Sequence, residues 1–169
     1  MFAKVKQRLQ DMGTVKRLCE GAEGAARRAG QELPGAEHYV LSALELDEGS
    51  ARRVFARLGM DADTYRTVLA GLHAEALRKV GIDAGGLGQP MPAGGKPAAL
   101  FDSQPSGQAL MRVLPEVAKR SAAPLCGAHV LLVAAGMQHS LAGRALRGMG
   151  VEPATLVRAA EEELGATFA

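Results

Sequence analysis

No tryptophan occurs among the 169 residues, and there are only two tyrosines, four phenylalanines and two cysteines. Strands draw on aromatic and β-branched residues, whereas Ala and Leu lose little on entering a helix. The shortage of rings therefore argues against a sheet and for an all-α chain. Cys19 and Cys126 belong to no C-x-x-C pair, and reduced thiols in a cytoplasmic protein are expected. No apolar run approaches the ~18 residues of a membrane span. The start, Met1-Phe2-Ala3-Lys4-Val5-Lys6, runs into Gln, Arg and Asp rather than an apolar signal core, so no membrane partner is expected. Charge of one sign is missing too: 20 basic and 18 acidic residues leave +2. Arg27-Arg28 and Arg52-Arg53 are offset by Glu45-Leu46-Asp47-Glu48 and Glu161-Glu162-Glu163. Without a stripe of Lys/Arg interleaved with aromatics, nucleic acid is not an expected partner.

What the chain does have is a core and a repeat. Hydrophobic residues make up 47% of it, enough to bury a sizeable interior. Gly35-Ala36-Glu37-His38-Tyr39-Val40-Leu41 reads against Cys126-Gly127-Ala128-His129-Val130-Leu131-Leu132, with the histidines 91 positions apart (129 − 38 = 91). Without a gap, the same offset puts Ala51 on Ala142, Arg53 on Arg144, Gly59 on Gly150 and Met60 on Val151. A register held across a loop and two helical segments implies duplication of a folding unit. Glu37 is the exception, because its counterpart is Ala128.

Periodicity places the elements. Phe2, Val5, Leu9 and Met12 form a short amphipathic segment ending at Gly13. Thr14 is expected to cap a helix that buries Val15, Leu18, Cys19, Ala22, Ala25, Ala26 and Ala29. A second helix spans about Ala36–Asp47. Ser50 is expected to cap a third, which Gly59 ends as a C′ glycine. Asp61 or Asp63 opens a fourth, with Tyr65, Val68, Leu69, Leu72, Ala76 and Leu77 inward. Gly and Pro crowd the stretch from Gly81 to Pro97, which reads as a flexible connection. Ser103 or Ser106 then starts a helix through Ala109, Leu110, Val113, Val117 and Ala118. Further helices run from about Gly127 to Met137, from Leu141 to Met149 and from Pro153 onward. Pro115 and its counterpart Gly24 suggest a shared bend or a late helix start. The units are thus 1–13, an amphipathic extension; 14–80, a first repeat; 81–100, the connection; and 101–169, a second repeat.

Few residues carry chemistry. His38, His73, His129 and His139 share no metal-ligand spacing, and no metal or cofactor is expected. His38 and His129, each in the first turn of a helix, are suited to hydrogen-bonding the preceding loop. Cys126 lies three residues before His129, but a thiol nucleophile also needs a third, orienting group, and the sequence shows none. Gly94-Gly95-Lys96-Pro97 is the nearest approach to a phosphate loop, and its Pro lacks the N–H that such a loop uses. No enzymatic function is expected. Glu37 sits where a helix dipole favours a carboxylate, and where a guanidinium or amine from a partner could also be received.

Gly35-Ala36-Glu37-His38-Tyr39-Val40-Leu41-Ser42-Ala43-Leu44 resembles the Gly-Thr-Glu-His-Ile-Leu-Leu-Gly-Leu stretch of the Clp ATPase amino-terminal domain. Gly49 to Met60 resembles that family's Gly-x-Ala-x-x-x-Leu-x-x-Leu-Gly-Val element. The second copy repeats both more loosely, as Gly127 to Leu132 and Leu141 to Val151, so the resemblance covers roughly 14–168. It implies an all-α domain of two four-helix repeats about a pseudo-twofold axis. In the family this domain receives substrates and adaptor proteins ahead of the ATPase rings. In ClpC-type members it binds phosphorylated arginine through the Glu and Thr of the motif. Here Glu37 matches the Glu, Ala36 replaces the Thr, and Gly127 and Ala128 replace both in the second copy, which argues against phosphoarginine as a ligand.

The resemblance thus implies a non-catalytic module that binds Clp ATPase or protease components, adaptors or protein substrates. No ATPase segment is present, so it is expected as a free-standing protein or an excised amino-terminal domain. Glu37, Ala36 and His38 are the candidate contacts; His38, His129, Gly59 and Gly150 are the structural repeat positions. The alternatives are a helical structural or small-ligand-binding protein outside proteolysis, and a Cys- or His-dependent enzyme.

Overall fold

A computed structural model describes residues 1–81 and 102–168, with side chains described to Gly165. All but Gly81 of the expected connection lies outside the described residues. Eight helices and no strand occur among those described. They are α1 (Phe2–Arg28), α2 (Ala36–Glu45), α3 (Ser50–Arg57), α4 (Ala62–Lys79), α5 (Pro105–Arg120), α6 (Gly127–Gly136), α7 (Leu141–Gly148) and α8 (Pro153–Phe168).

The offset of 91 recurs in the bounds: α2 and α6, then α3 and α7, begin and end in register, and α4 and α8 begin in register. Gly59 and Gly150 end the short helices at φ +68° and +82°. A side chain at either would strain a left-handed backbone, so both positions select glycine. Asp61 caps α4, its Oδ1 accepting from Thr64 N at 2.7 Å.

The core is one continuous cluster drawn from both halves of the chain. α2 and α6 lie at its centre and touch each other, while α1 flanks α2 and α5 flanks α6. α3 packs on α6 and α8, and α4 packs on α7. The buried side chains include Tyr39, Phe55, Leu110, Leu114, Leu131 and Leu156. Burying each large apolar group contributes about 2–3 kcal/mol against the entropy of ordering the chain. Phe55 and Tyr65 meet edge to face, with ring centroids 6.1 Å apart. Glu163 of α8, only 2% exposed, accepts from Arg53 Nε at 2.5 Å and Arg57 Nη2 at 3.0 Å of α3.

Several local expectations change. α1 is continuous through Gly13, so Thr14 is no N-cap; its Oγ1 donates to Gln10 O at 3.1 Å inside the helix. The segment before it continues α1 rather than forming a helix of its own, which moves no domain boundary by itself. Ala29 and Ala76 are exposed, and α5 buries Leu110 and Leu114 while Val113 faces out. Gly24 and Pro115 both lie inside helices, which removes the late-start reading. Ser50 is the first residue of α3, behind Gly49 as N-cap, and Gln104 caps α5 in place of Ser103 or Ser106.

Candidate functional site

The candidate residues gather at the amino end of α2. Ala36, Glu37 and His38 are its first three residues, and all three are buried. The His38 ring turns back so that Nδ1 accepts the Gly35 N–H at 2.9 Å. A residue at the third helical position reaching back to the N-cap amide is half of a capping box, here made by imidazole instead of Glu or Gln. That bond leaves the ring proton on Nε2. Burial holds His38 down at about 4, so the ring is neutral at pH 7. Glu37 Oε1 lies 3.4 Å from Nδ1, but with Nδ1 accepting this is not an ion pair.

The Glu37 carboxylate folds over Gly35. A Cβ built at Gly35 would stand 2.5 Å from Oε2 and 2.7 Å from Oε1, so glycine here makes room for the carboxylate. Burial raises the Glu37 pKa, partly offset by its own backbone N–H. Tyr65, fully buried, feels that charge; its hydroxyl is raised well above its ordinary value, chiefly by burial. Among the described residues Tyr65 Oη has no hydrogen-bond partner.

The loop entering α2 is fastened from the far half of the chain. Gln104 N donates to Pro34 O at 2.9 Å, and Gln104 Nε2 donates to Leu33 O and Gln31 Oε1, each at 2.7 Å. Ser106 Oγ accepts the Ala36 N–H at 3.1 Å. Tyr39 Oη and Ser103 Oγ are 2.8 Å apart, and burial pushes the Tyr39 phenol up to about 12.

The amino end of α6 is built differently. His129 Nδ1 accepts the Cys126 N–H at 3.2 Å, and Nε2 lies 2.7 Å from Ser121 Oγ. The missing carboxylate is supplied from α3's end of the fold. Glu48 Oε1 accepts the Gly127 N–H at 2.7 Å, and Ser50 Oγ accepts the Ala128 N–H at 2.9 Å. Ser50 in turn donates its N–H and O–H to Glu48, at 2.8 and 3.0 Å. A Cβ at Gly127 would lie 2.8 Å from Ala51 Cβ, so only glycine allows this approach. The first amide of each central helix is thus hydrogen-bonded from the opposite half. The repeat alignment hid this. At the offset of 91, Glu48 and Ser50 fall on His139 and Leu141, a mismatch that was the available signal.

The Cys126 sulfur lies 3.3 Å from His129 Nδ1, so the ring and a third group, Ser121, are both within reach. The chemistry is withheld by other means. Burial raises the Cys126 thiol, the Nδ1 lone pair also serves the Cys126 amide, and the side chain is 3% exposed. Cys126 in the native protein is therefore expected to react with iodoacetamide at least tenfold more slowly than a free thiol at pH 8. Labelling at the free-thiol rate would show an accessible, activated sulfur. His73 Nε2 lies 3.2 Å from Gln31 Nε2, behind the α2 loop. Among the described residues no three His, Cys, Asp or Glu side chains are placed to hold a metal ion. No helix of the described residues is long and apolar enough to cross a membrane.

With this geometry in place, comparison with known proteins gives a consistent direction. The chain is similar over 80 residues, at 38% identity, to the chaperone protein ClpC1, chloroplastic, of Oryza sativa subsp. japonica. It matches the ATP-dependent Clp protease ATP-binding subunit ClpA homolog CD4B, chloroplastic, of Solanum lycopersicum at the same identity over the same length. Each match covers 46% of this chain and 9% of the relative, so the chain spans about a tenth of these proteins' length. No protein-family model matches the chain. Homology to subunits of the Clp chaperone and protease system is the result.

Proposed function

We propose that this chain is a non-catalytic protein-binding module of the Clp system, built as two four-helix repeats about a pseudo-twofold axis. The observation that carries the reading is the 38% identity with two Clp ATPase subunits over 80 residues. The helix packing supports the architecture. Exchanging the halves maps the α3–α8 contact onto α4–α7, maps α2–α7 onto α3–α6, and leaves α2–α6 on itself. In this reading the module receives a substrate, adaptor or Clp subunit in the cytoplasm and performs no reaction itself. Glu37, Ala36 and His38 chiefly hold the amino end of α2. A partner's guanidinium would reach Glu37 only after the carboxylate, 3% exposed, swung out from over Gly35.

The test is direct binding of the purified chain to the Clp ATPase of its own organism, by biolayer interferometry with and without ATP. Binding that Glu37→Ala weakens would place the partner at α2. Binding that Glu37→Ala leaves unchanged would place it elsewhere on the module. No binding to the ATPase, its adaptors or its clients would sink the proposal.

One observation favours a second reading, a small-ligand-binding helical protein. A cavity of about 610 Å³ lies between α5, α6 and α8, lined by Val117, Leu132, Val157 and Leu164, with Arg120 and Glu161 beside them. Saturable binding of a small apolar acid there, without Clp binding, would favour it.

A further inference from the structure

The first three turns of α1 project beyond the core, and residues 1–10 are exposed on every side. The large apolar residues there are almost fully in solvent: Phe2 is 94% exposed, Val5 53%, Leu9 65% and Met12 68%. At 100° per residue these four fall within an arc of about 80°, spaced 3, 4 and 3. The residues α1 buries, from Thr14 to Ala26, centre on a direction about 130° away. Asp11 lies on that core-facing side and accepts the Leu125 N–H at 2.9 Å, which fixes the rotation of the projecting turns. The apolar stripe is therefore turned out of the core, with Met12 at its edge beside a groove shared with Pro115, Ala118 and Lys119 of α5.

From this we infer that residues Phe2 to Met12 dock, as an a/d seam, against one amphipathic helix of a partner protein that carries carboxylates beside its apolar seam. The spacing selects a helix. A narrow stripe of strict a and d positions is the seam of paired helices, whereas a helix lying on lipid presents a broader apolar face. The charges select the sign. Lys6 and Arg8 lie about 80° to either side of the stripe, at the e and g positions. Lys4 adds a third cation, and no acidic residue precedes Asp11. Among the described residues none of these three cations has an ion pair. A second copy of the chain is disfavoured by the same charges. Antiparallel pairing sets Lys6 against Lys6 and Arg8 against Arg8. The seam is short, but its helix is already formed and anchored, so little ordering entropy opposes docking.

This surface does not depend on the Clp reading, and its test is separate. The ¹⁵N-labelled full chain would be titrated with a synthetic helical peptide carrying Leu and Ile at a and d and Glu at e and g. A matched peptide with Lys at e and g serves as the comparison. The Glu peptide is expected to shift the amides of residues 2–12 and to bind at least tenfold tighter than the Lys peptide. The double variant Lys6→Glu/Arg8→Glu should invert that order, and Leu9→Ser should lose at least tenfold with the melting temperature kept. Equal binding of both peptides, or of neither, would overturn the inference. So would co-sedimentation with phosphatidylglycerol vesicles without peptide preference, or a Leu9-dependent dimer of the chain alone.

Discussion

His129→Ala is expected to cost the fold about 4 kcal/mol, the largest loss foreseen for any single side chain here. The ring is fully buried and closes three contacts at one end of α6: the Cys126 amide, the Cys126 sulfur and Ser121 Oγ. Truncation leaves a ring-sized void and a buried amide without its acceptor, and both penalties fall on a central helix. For a chain of this size the melting temperature should drop by about 8–16 °C. His129→Gln separates the two causes. Gln at the third helical position can still reach the N-cap amide, so it should recover about half the loss while leaving the ring's volume unfilled. Urea unfolding of the three proteins at pH 7.5 measures this. A loss below about 1 kcal/mol for His129→Ala would mean that the site collapses around the gap and that the ring is not the tie.

The histidines were legible because their role is local: an imidazole three residues into a helix can bond only the loop just before it. Gly59, Gly150 and Asp61 were legible for the same reason, each deciding a helix end within four residues. What escaped were the roles that cross the molecule. Ser50 and Ser106 have the chemistry of caps and do cap helices, but Ser50 serves α6 and Ser106 serves α2, each about 70–80 residues away. Glu48 looked like part of an acidic surface run, yet its carboxylate replaces the one absent at Ala128. Gly13 looked like a helix end because glycine weakens helices. α1 continues through it because Asp11 on one side and the buried face from Thr14 on the other hold both flanks. One compensation is visible only in three dimensions. Gly35 leaves space for the Glu37 carboxylate, whereas Cys126 and Ala128 exchange large for small at the equivalent pair. The apparent loss of a carboxylate in the second copy is thus a coordinated change of packing. It removes a free carboxylate-binding helix end, because Glu48 fills that position.

Acid should weaken the protein well before its carboxylates are neutralised, and His38 is the principal cause. The native ring is held down at about 4, against 6.5 for an exposed histidine. The unfolded chain therefore takes up this proton near pH 6.5, while the native protein refuses it until about pH 4. The stability contributed is complete above pH 6.5 and is lost as pH falls toward 4, amounting to about 3 kcal/mol. His129, also lowered by burial, acts in the same direction. Glu37 opposes both. Its raised native pKa means the folded state takes a proton before the unfolded one, so its contribution grows as pH falls. His38→Gln retains the amide bond to Gly35 without a titrating ring, and should flatten the stability profile between pH 6.5 and 4. Glu37→Gln removes the offset and should steepen it. Urea unfolding of the native protein and both variants across that range resolves the signs independently. If His38→Gln shows the same slope as the native protein, the buried imidazole is not what makes the fold acid-sensitive.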